Sequence, residues 1–430
     1  MTYLCSSRGR VRRVSLLSRV GFKTYDRGLI IMVQIANSPR AQQHAMPVCH
    51  IPVTRTQICA EAREAVQQIL GSGWVTSGQQ VIEFEREFAE YVGSRHAIAV
   101  SSCTAALELA LRALNLPAGS RVLMSTNTFC GAASAIVHAG LRLVLADVDP
   151  ITAMPSPVTV AAAVRAVGGV QAMVVVYLGG LPTPVEEMAE AAGITLDHVV
   201  EDAAHALGSA VGERVVGTIS RATCFSFYAT KNLAIGEGGM VTTDDDELAD
   251  AVGRARLHGM SRDAWRRYLP GGGWRYDVEA DGLKANMTDV QAAIGRAQLR
   301  RFKVTQARRE EAAARYDSLI VDIPGLTMPL RPLSGTHAWH LYAVRVRPNY
   351  GVGRDDLITA LSERGIGTSV HFIPVHRLTW FSHVGLQAPG GFPGAECVFD
   401  QTLSLPMDQV LTAEDVETVC TALAEIGGSR

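Results

Sequence analysis

Phe225-Ser226-Phe227-Tyr228-Ala229-Thr230-Lys231-Asn232-Leu233, running into Gly236-Glu237-Gly238-Gly239, sets a lysine at the end of an aromatic strand and against a glycine turn. Alone, a lysine after a strand reads as a solvated cap whose stem lies on apolar surface. Upstream, however, the β-branched run Val199-Val200 leads into Glu201-Asp202-Ala203-Ala204-His205. That order puts a carboxylate at the C-terminal end of a neighbouring strand.

An amine and a buried carboxylate placed this way suit pyridoxal phosphate. Its aldehyde condenses with an amine, and its pyridine nitrogen draws electrons only while it stays protonated. Asp202 is the candidate to hold that proton. Desolvation among Phe225, Phe227 and Tyr228 is expected to lower the Lys231 pKa toward the free amine.

Two further segments follow strand-like runs. Ala97-Ile98-Ala99-Val100 leads into Ser101-Ser102-Cys103-Thr104 and an apolar-periodic helix, so the first helical N–H groups and nearby hydroxyls form a site suited to a phosphate. An ordinary N-cap by Ser102 or Thr104 is the plainer reading. Ser226 offers another hydroxyl. Arg121-Val122-Leu123-Met124-Ser125 leads into Thr126-Asn127-Thr128-Phe129, where Phe129, among small residues, can lie against a planar heterocycle or simply pack in a core.

Short apolar runs at 97–100, 121–125, 142–146, 173–177, 198–200 and 223–228 alternate with helical stretches. This spacing predicts βα units, a mostly parallel central sheet and helices on both faces. Ligands of such sheets collect beyond the strand C-terminal ends, where Thr104, Phe129, Asp202 and Lys231 all fall. Further on, Thr288-Asp289-Val290-Gln291 reads as a capping box opening an amphipathic helix. A charged helix around Arg308 is expected next, then a strand at 342–346 and a helix near 354–364.

Taken in order, Ser-Cys-Thr-Ala-Ala (102–106), Thr-Phe (128–129), Glu-Asp-Ala-Ala-His (201–205), Phe-Ser-Phe-Tyr-Ala-Thr-Lys-Asn (225–232), Gly-Glu-Gly-Gly (236–239), Asn-Met-Thr-Asp-Val-Gln (286–291) and Trp-His-Leu-Tyr (339–342) closely resemble the DegT/DnrJ/StrS sugar aminotransferases over roughly residues 50 to 425. The resemblance implies an α/β fold of the fold type I pyridoxal phosphate enzymes, with a smaller C-terminal α+β domain. It implies that Lys231 condenses with the cofactor aldehyde, that Asp202 pairs with the pyridine nitrogen and that Phe129 stacks on the ring. Cys103, Thr104 and Ser226 match phosphate-binding positions, and His205 faces the ring's hydroxyl side. Asn286 matches an asparagine that reaches the partner subunit's phosphate, which makes the active enzyme a homodimer with shared sites. Trp74, His340 and His371 are expected near substrate, each weighed against a purely structural role. Gly271-Gly272-Gly273 with Trp274 and Tyr276 is expected to form a loop that closes over it.

The same resemblance implies transfer of an amino group from glutamate to a keto-sugar carried on a nucleotide diphosphate, a 4-keto-6-deoxyhexose above all. Ala229-Thr230 stands where many relatives have His-Pro, and some members that aminate C4 of nucleotide sugars carry the same Ala-Thr. Relatives that dehydrate a keto-sugar have histidine where Lys231 stands, so the lysine argues for transamination. A keto-inositol substrate is the alternative, and a non-catalytic sensor or binding protein of the same fold a weaker one.

Length and 47% hydrophobic content over 430 residues allow two cores. The expected division is an N-terminal extension over 1–45, disordered or preceding the true start, a large cofactor-binding domain over 46–300 and a small domain over 301–430. The extension carries eight Lys/Arg against one Asp, leaving 32 basic and 41 acidic residues beyond it. That mildly acidic body lacks a nucleic-acid footprint. Eight dispersed cysteines without metal-type spacing point to a reducing cytoplasm and to no metal, and no apolar run is long enough for a membrane span.

Overall fold

Two alternating residue sets build the main sheet, one for each face. The strands His96–Val100, Gly239–Thr243, Ala222–Ser226, Val199–Asp202, Ala172–Val176, Arg121–Ser125 and Arg142–Ala146 lie side by side in that order. Only Gly239–Thr243 runs antiparallel to its neighbours. The computed structural model describes residues 50–261, 275–387 and 390–428, and by backbone alone the short strands Lys23–Tyr25 and Gly28–Ile30. Those two pair antiparallel within the separate unit Met1–Val48, while Cys49–Arg430 forms one compact unit.

Ala172–Val176 is apolar at every position and buried throughout, as a strand covered on both faces must be. Odd and even residues part into two cores. Phe225, Val199, Val175 and Met240 pack with Phe84 and Phe88 on one side. Cys224, Val200, Val174 and Val241 pack with Leu107, Leu111 and Ile136 on the other. The strand period of two also splits the acidic pair. Glu201 is held by Tyr177 Oη, by the Ser220 N–H at 2.9 Å and by Thr223 Oγ1 at 3.1 Å, whereas Asp202 turns toward Cys103.

All six expected strands lie within two residues of their expected ends, and Gly239–Thr243 is an addition. Its Gly-Met-Val-Thr-Thr sequence follows a glycine turn and carries too little apolar alternation to stand out. The helix opened by Thr288 does not stop before Arg308. It runs unbroken over Asp289–Ile320, so the charged stretch is its later part. Its early turns put Ala292, Leu299 and Phe302 into the first core, and its late turns put Ala313, Tyr316 and Ile320 into a third. That third core lies under the three-stranded sheet of Leu326–Thr327, Tyr342–Val346 and Thr402–Leu405, with the helices Arg354–Glu363 and Ala413–Gly428.

The capping box at this helix is complete. Thr288 Oγ1 accepts the Gln291 N–H at 3.3 Å and Gln291 Oε1 accepts the Thr288 N–H at 2.9 Å. Thr288→Ala is expected to lower unfolding free energy by about 1 kcal/mol. The check is urea denaturation, which should show an earlier midpoint at unchanged slope.

Candidate active site

Four strand ends deliver the candidate residues to one place. Asp202 ends Val199–Asp202 in register with Cys224, and Ser226 ends the adjacent strand. The chain then turns through Tyr228, whose carbonyl accepts the Lys231 N–H at 2.9 Å, and returns along Gly239–Thr243. That return needs a glycine at its start: a Cβ on Gly239 would lie 2.5 Å from the Ser102 carbonyl carbon and 2.7 Å from the Cys103 nitrogen. The close approach presses the turn after Lys231 against the N-terminus of the helix Cys103–Ala113.

Ser102 caps that helix, its Oγ accepting the Ala105 N–H at 3.1 Å, while its carbonyl takes the Ala106 N–H. The N–H groups of Cys103 and Thr104 have no partner among the described residues, which leaves two donors at the positive end of the helix. Thr104 Oγ1 stands so close to Gly131 that a Cβ there would meet it at 2.9 Å. Ser226 Oγ accepts the Tyr228 N–H at 3.3 Å and keeps its own proton to donate.

Asp202 is buried. Its Oδ1 accepts the Ala204 N–H at 3.1 Å and a weak contact from Cys103 Sγ at 3.8 Å, and its Oδ2 has no hydrogen bond among the described residues. Burial pushes the Asp202 pKa up, against the opposing pull of the Ala204 N–H and the Lys231 charge. Lys231 is lowered to about 8 by burial, with the Asp202 charge working the other way. Its ε-amine has no hydrogen-bond partner among the described residues. The expected cause of this shift needs correction, because Phe225 and Phe227 sit in the core against Phe88 and Phe84 and Tyr228 is 46% exposed. Strand alternation turns those rings away; burial lowers the amine, and the Asp202 charge draws it back toward the ammonium.

A cluster of rings lies beside it. His205 and His340 are buried with ring centroids 4.1 Å apart, and Phe372 stacks on His205 at 5.9 Å. Phe129 is 59% exposed and stands 5.6 Å from Phe372, with an open face. His371 Nδ1 pairs with Ser404 Oγ at 2.8 Å, and burial lowers its pKa to about 4. Burial also pushes His205 and His340 well below the usual histidine range, so both are neutral. Asn232, Gln306, Phe372 and the Gly179-Gly180 turn belong to this cluster and were not singled out from sequence. The signal for Asn232 was its place directly after Lys231.

Asn286 bridges Val100, next to the capped helix, but its side chain is engaged within its own chain. Its Nδ2 donates to Ser77 Oγ at 2.6 Å and its Oδ1 accepts from Lys284 Nζ. Trp74 joins the same group, donating through Nε1 to the Ser77 carbonyl at 3.0 Å. Of the expected closing loop, Gly271 to Trp274 lie outside the described residues, and Tyr276 is exposed.

This arrangement fits pyridoxal phosphate. Asp202 Oδ2 is an unused buried acceptor for a protonated ring nitrogen, the Cys103 and Thr104 N–H groups with Thr104 and Ser226 hydroxyls can hold a phosphate, and Phe129 offers an open aromatic face. Among the described residues no group of three His, Cys, Asp or Glu side chains could hold a metal ion. No helix is long and apolar enough to cross a membrane, among the described residues.

The family model of the DegT/DnrJ/EryC1/StrS aminotransferases matches residues 56–424. The chain is 45% identical over 378 residues to the spore coat polysaccharide biosynthesis protein SpsC of Bacillus subtilis (strain 168), covering 87% of this chain and 97% of that protein. The aminotransferase TlmJ from Streptoalloteichus hindustanus superposes with a TM-score of 0.78 at 34% identity, covering 88% of this chain and 99% of TlmJ. The putative sugar aminotransferase Spr1654 from Streptococcus pneumoniae, in its PLP form, gives 0.79 at 27% identity over 88% of this chain and 99% of its own.

With the cofactor stripped, labelling of Lys231 by an amine-selective reagent is expected to follow the free amine, with a midpoint near pH 8 and a fall of about tenfold for each unit below it. Asp202→Asn removes the charge that holds the ammonium, so the midpoint moves lower. Peptide mapping of the labelled site across pH checks both outcomes.

Proposed function

The chain belongs to the DegT/DnrJ/EryC1/StrS aminotransferase family, whose members are pyridoxal phosphate-dependent, and we propose that it transfers an amino group from glutamate to a keto-sugar carried on a nucleotide diphosphate, a 4-keto-6-deoxyhexose being the favoured type. The observation that carries this reading is the desolvated Lys231 amine opposite buried Asp202, with an unpaired helix N-terminus and an open Phe129 face beside them. SpsC, which acts in spore coat polysaccharide biosynthesis, and the sugar aminotransferase Spr1654 support a sugar substrate.

When bound, the cofactor supplies an aldehyde that accepts the amino group and a protonated ring that draws electrons from the reacting carbon. Asp202 Oδ2 holds the ring proton, because a buried carboxylate makes the charged nitrogen the cheaper state. The Cys103 and Thr104 N–H groups and the Thr104 and Ser226 hydroxyls fix the phosphate, and Phe129 fixes the ring plane. Lys231 Nζ, with its pKa near 8, would take a proton from the donor's carbon and return one to the sugar carbon. His205 would offer its Nε2–H to the ring's hydroxyl, and Trp74, His340 and His371 are offered as substrate contacts.

We also assign a homodimer in which Asn286 serves the partner's site. Trading Ser77 for a phosphate oxygen keeps its NH2 group donating, while its Oδ1 still accepts from Lys284. The six described cysteines are free thiols, which supports a reducing cytoplasm.

Lys231→Ala is expected to fold normally and to lose turnover by roughly 10²–10⁴-fold or more. Incubation with ¹⁵N-glutamate and either a nucleotide-linked 4-keto-6-deoxyhexose or a keto-inositol, read by mass spectrometry, tests the substrate. Label on the sugar alone supports the proposal; label on the cyclitol alone overturns it. Shared sites make a second expectation: mixing inactive Lys231→Ala and Asn286→Ala chains should restore about a quarter of wild-type activity, since half of the dimers are hybrids with one intact site each. Sites confined to single chains would give no recovery.

A further inference from the structure

The hydrogen bonds around Asn232 determine where two buried histidines carry their protons. Asn232 Nδ2 lies 2.7 Å from the Ala338 carbonyl and 3.1 Å from Gln306 Oε1. A carbonyl oxygen only accepts, so this end of the amide is its NH2 and the other end is Oδ1. Gln306 is itself fixed, its Nε2 donating to the same Ala338 carbonyl at 2.8 Å. Asn232 Oδ1 stands 3.1 Å from His340 Nδ1. An amide oxygen cannot donate, so His340 carries its proton on Nδ1 and a lone pair on Nε2.

His205 comes out the opposite way. The Gly179 N–H donates to its Nδ1 at 3.1 Å, which requires the lone pair there and the proton on Nε2. The same Gly179 accepts the His340 backbone N–H through its carbonyl at 3.0 Å, so one residue ties both. Gly180 follows at φ +92°, and a Cβ there would meet the His205 carbonyl oxygen at 2.7 Å. Side-chain bulk is therefore excluded from the turn that holds the pair. Neither His205 Nε2 nor His340 Nε2 has a hydrogen-bond partner among the described residues.

We propose that Asn232 is a positioning residue that locks His340 as its Nδ1–H tautomer, so that a donor, His205 Nε2–H, and an acceptor, His340 Nε2, stand together beside Lys231 as a neutral pair. Donor and acceptor in adjacent rings match a hydroxyl group, which both accepts and donates, and the cofactor or the sugar can supply one. The lock also governs charge. Groups acting on His340 from the surrounding elements are His205, Lys231, Arg309 and His371. A proton added to His340 would put a second cation beside Lys231 and favour the free amine still more.

The test is ¹⁵N-histidine NMR on the full chain, stripped and loaded with cofactor, where two-bond couplings separate the tautomers and His205→Gln and His340→Gln identify the signals. Wild-type protein should show His340 protonated on Nδ1 and His205 on Nε2. Asn232→Ala should release His340 to a mixture of tautomers. Asn232→Asp should give a doubly protonated His340 at neutral pH, its Nδ1–H donating to the new carboxylate. Gln306→Leu, which leaves Asn232 Oδ1 in place, should keep the wild-type pattern. A wild-type His340 protonated on Nε2 overturns the proposal, and this readout needs no variant to fold. Unchanged tautomers in Asn232→Ala, or equal changes in Gln306→Leu, overturn it as well. Loading with cofactor alone and then with sugar nucleotide separates the two hydroxyl sources by which of them shifts the His340 signal. None of these readouts depends on turnover, so a failure of the substrate assignment leaves them interpretable.

Discussion

The burial of one ammonium group opposite one carboxylate is the constraint that organises the molecule. Lys231 and Asp202 are each displaced toward neutrality by desolvation, and each is drawn back by the other's charge. Neither would be tolerated alone in this position, since an isolated buried charge costs several kcal/mol. Together they leave an amine close to its free form and a carboxylate with one unused oxygen. That combination carries a price in stability, and the surrounding architecture exists to sustain it. Fully packed cores on both faces of the sheet hold the strand ends rigid, so that the pair cannot relax into solvent.

The sheet supplies position through parity. In Val199–Asp202 successive side chains face opposite ways, so Glu201 enters a hydroxyl-rich pocket with Tyr177 and Thr223 while Asp202 meets Cys103. In the next strand the same rule sends Phe225 and Phe227 into the aromatic core and leaves Ser226 on the opposite face, that of Cys224. A slip of one residue in either strand would exchange these roles. The antiparallel return of Gly239–Thr243 closes the arrangement, because its glycine allows backbone to lie against the N-terminus of Cys103–Ala113.

Around the charged pair the polar groups are satisfied by acceptors and donors of fixed kind. Asn232 reaches Ala338 and Gln306, Gln306 reaches Ala338 from the long helix Asp289–Ile320, and Gly179 holds both His205 and His340. Four distant segments of the chain thus converge on two imidazoles. Burial keeps those rings neutral, and neutrality keeps them from competing with Lys231 for the field of Asp202.

The features that depend on local pattern can be read directly along the chain. Strand runs, the Thr288 capping box, the Ser102 helix start and the lysine, aspartate and phenylalanine at strand ends are all written in short stretches whose spacing has a direct physical meaning. It also carried the family, through motifs that keep their order along the chain. Folding alone settles which side of each strand faces Cys103 and Lys231, why Lys231 is desolvated, and that the helix after Thr288 continues through the charged stretch to Ile320. Likewise Asn232, Phe372 and Gly179 are ordinary letters until folding brings residues 74, 106 and 108 positions away from Asn232 to its amide, and Gly179, 26 positions before His205, to that ring. Proton placement, burial and strand parity arise from contacts between segments far apart in the chain, and no local pattern encodes them.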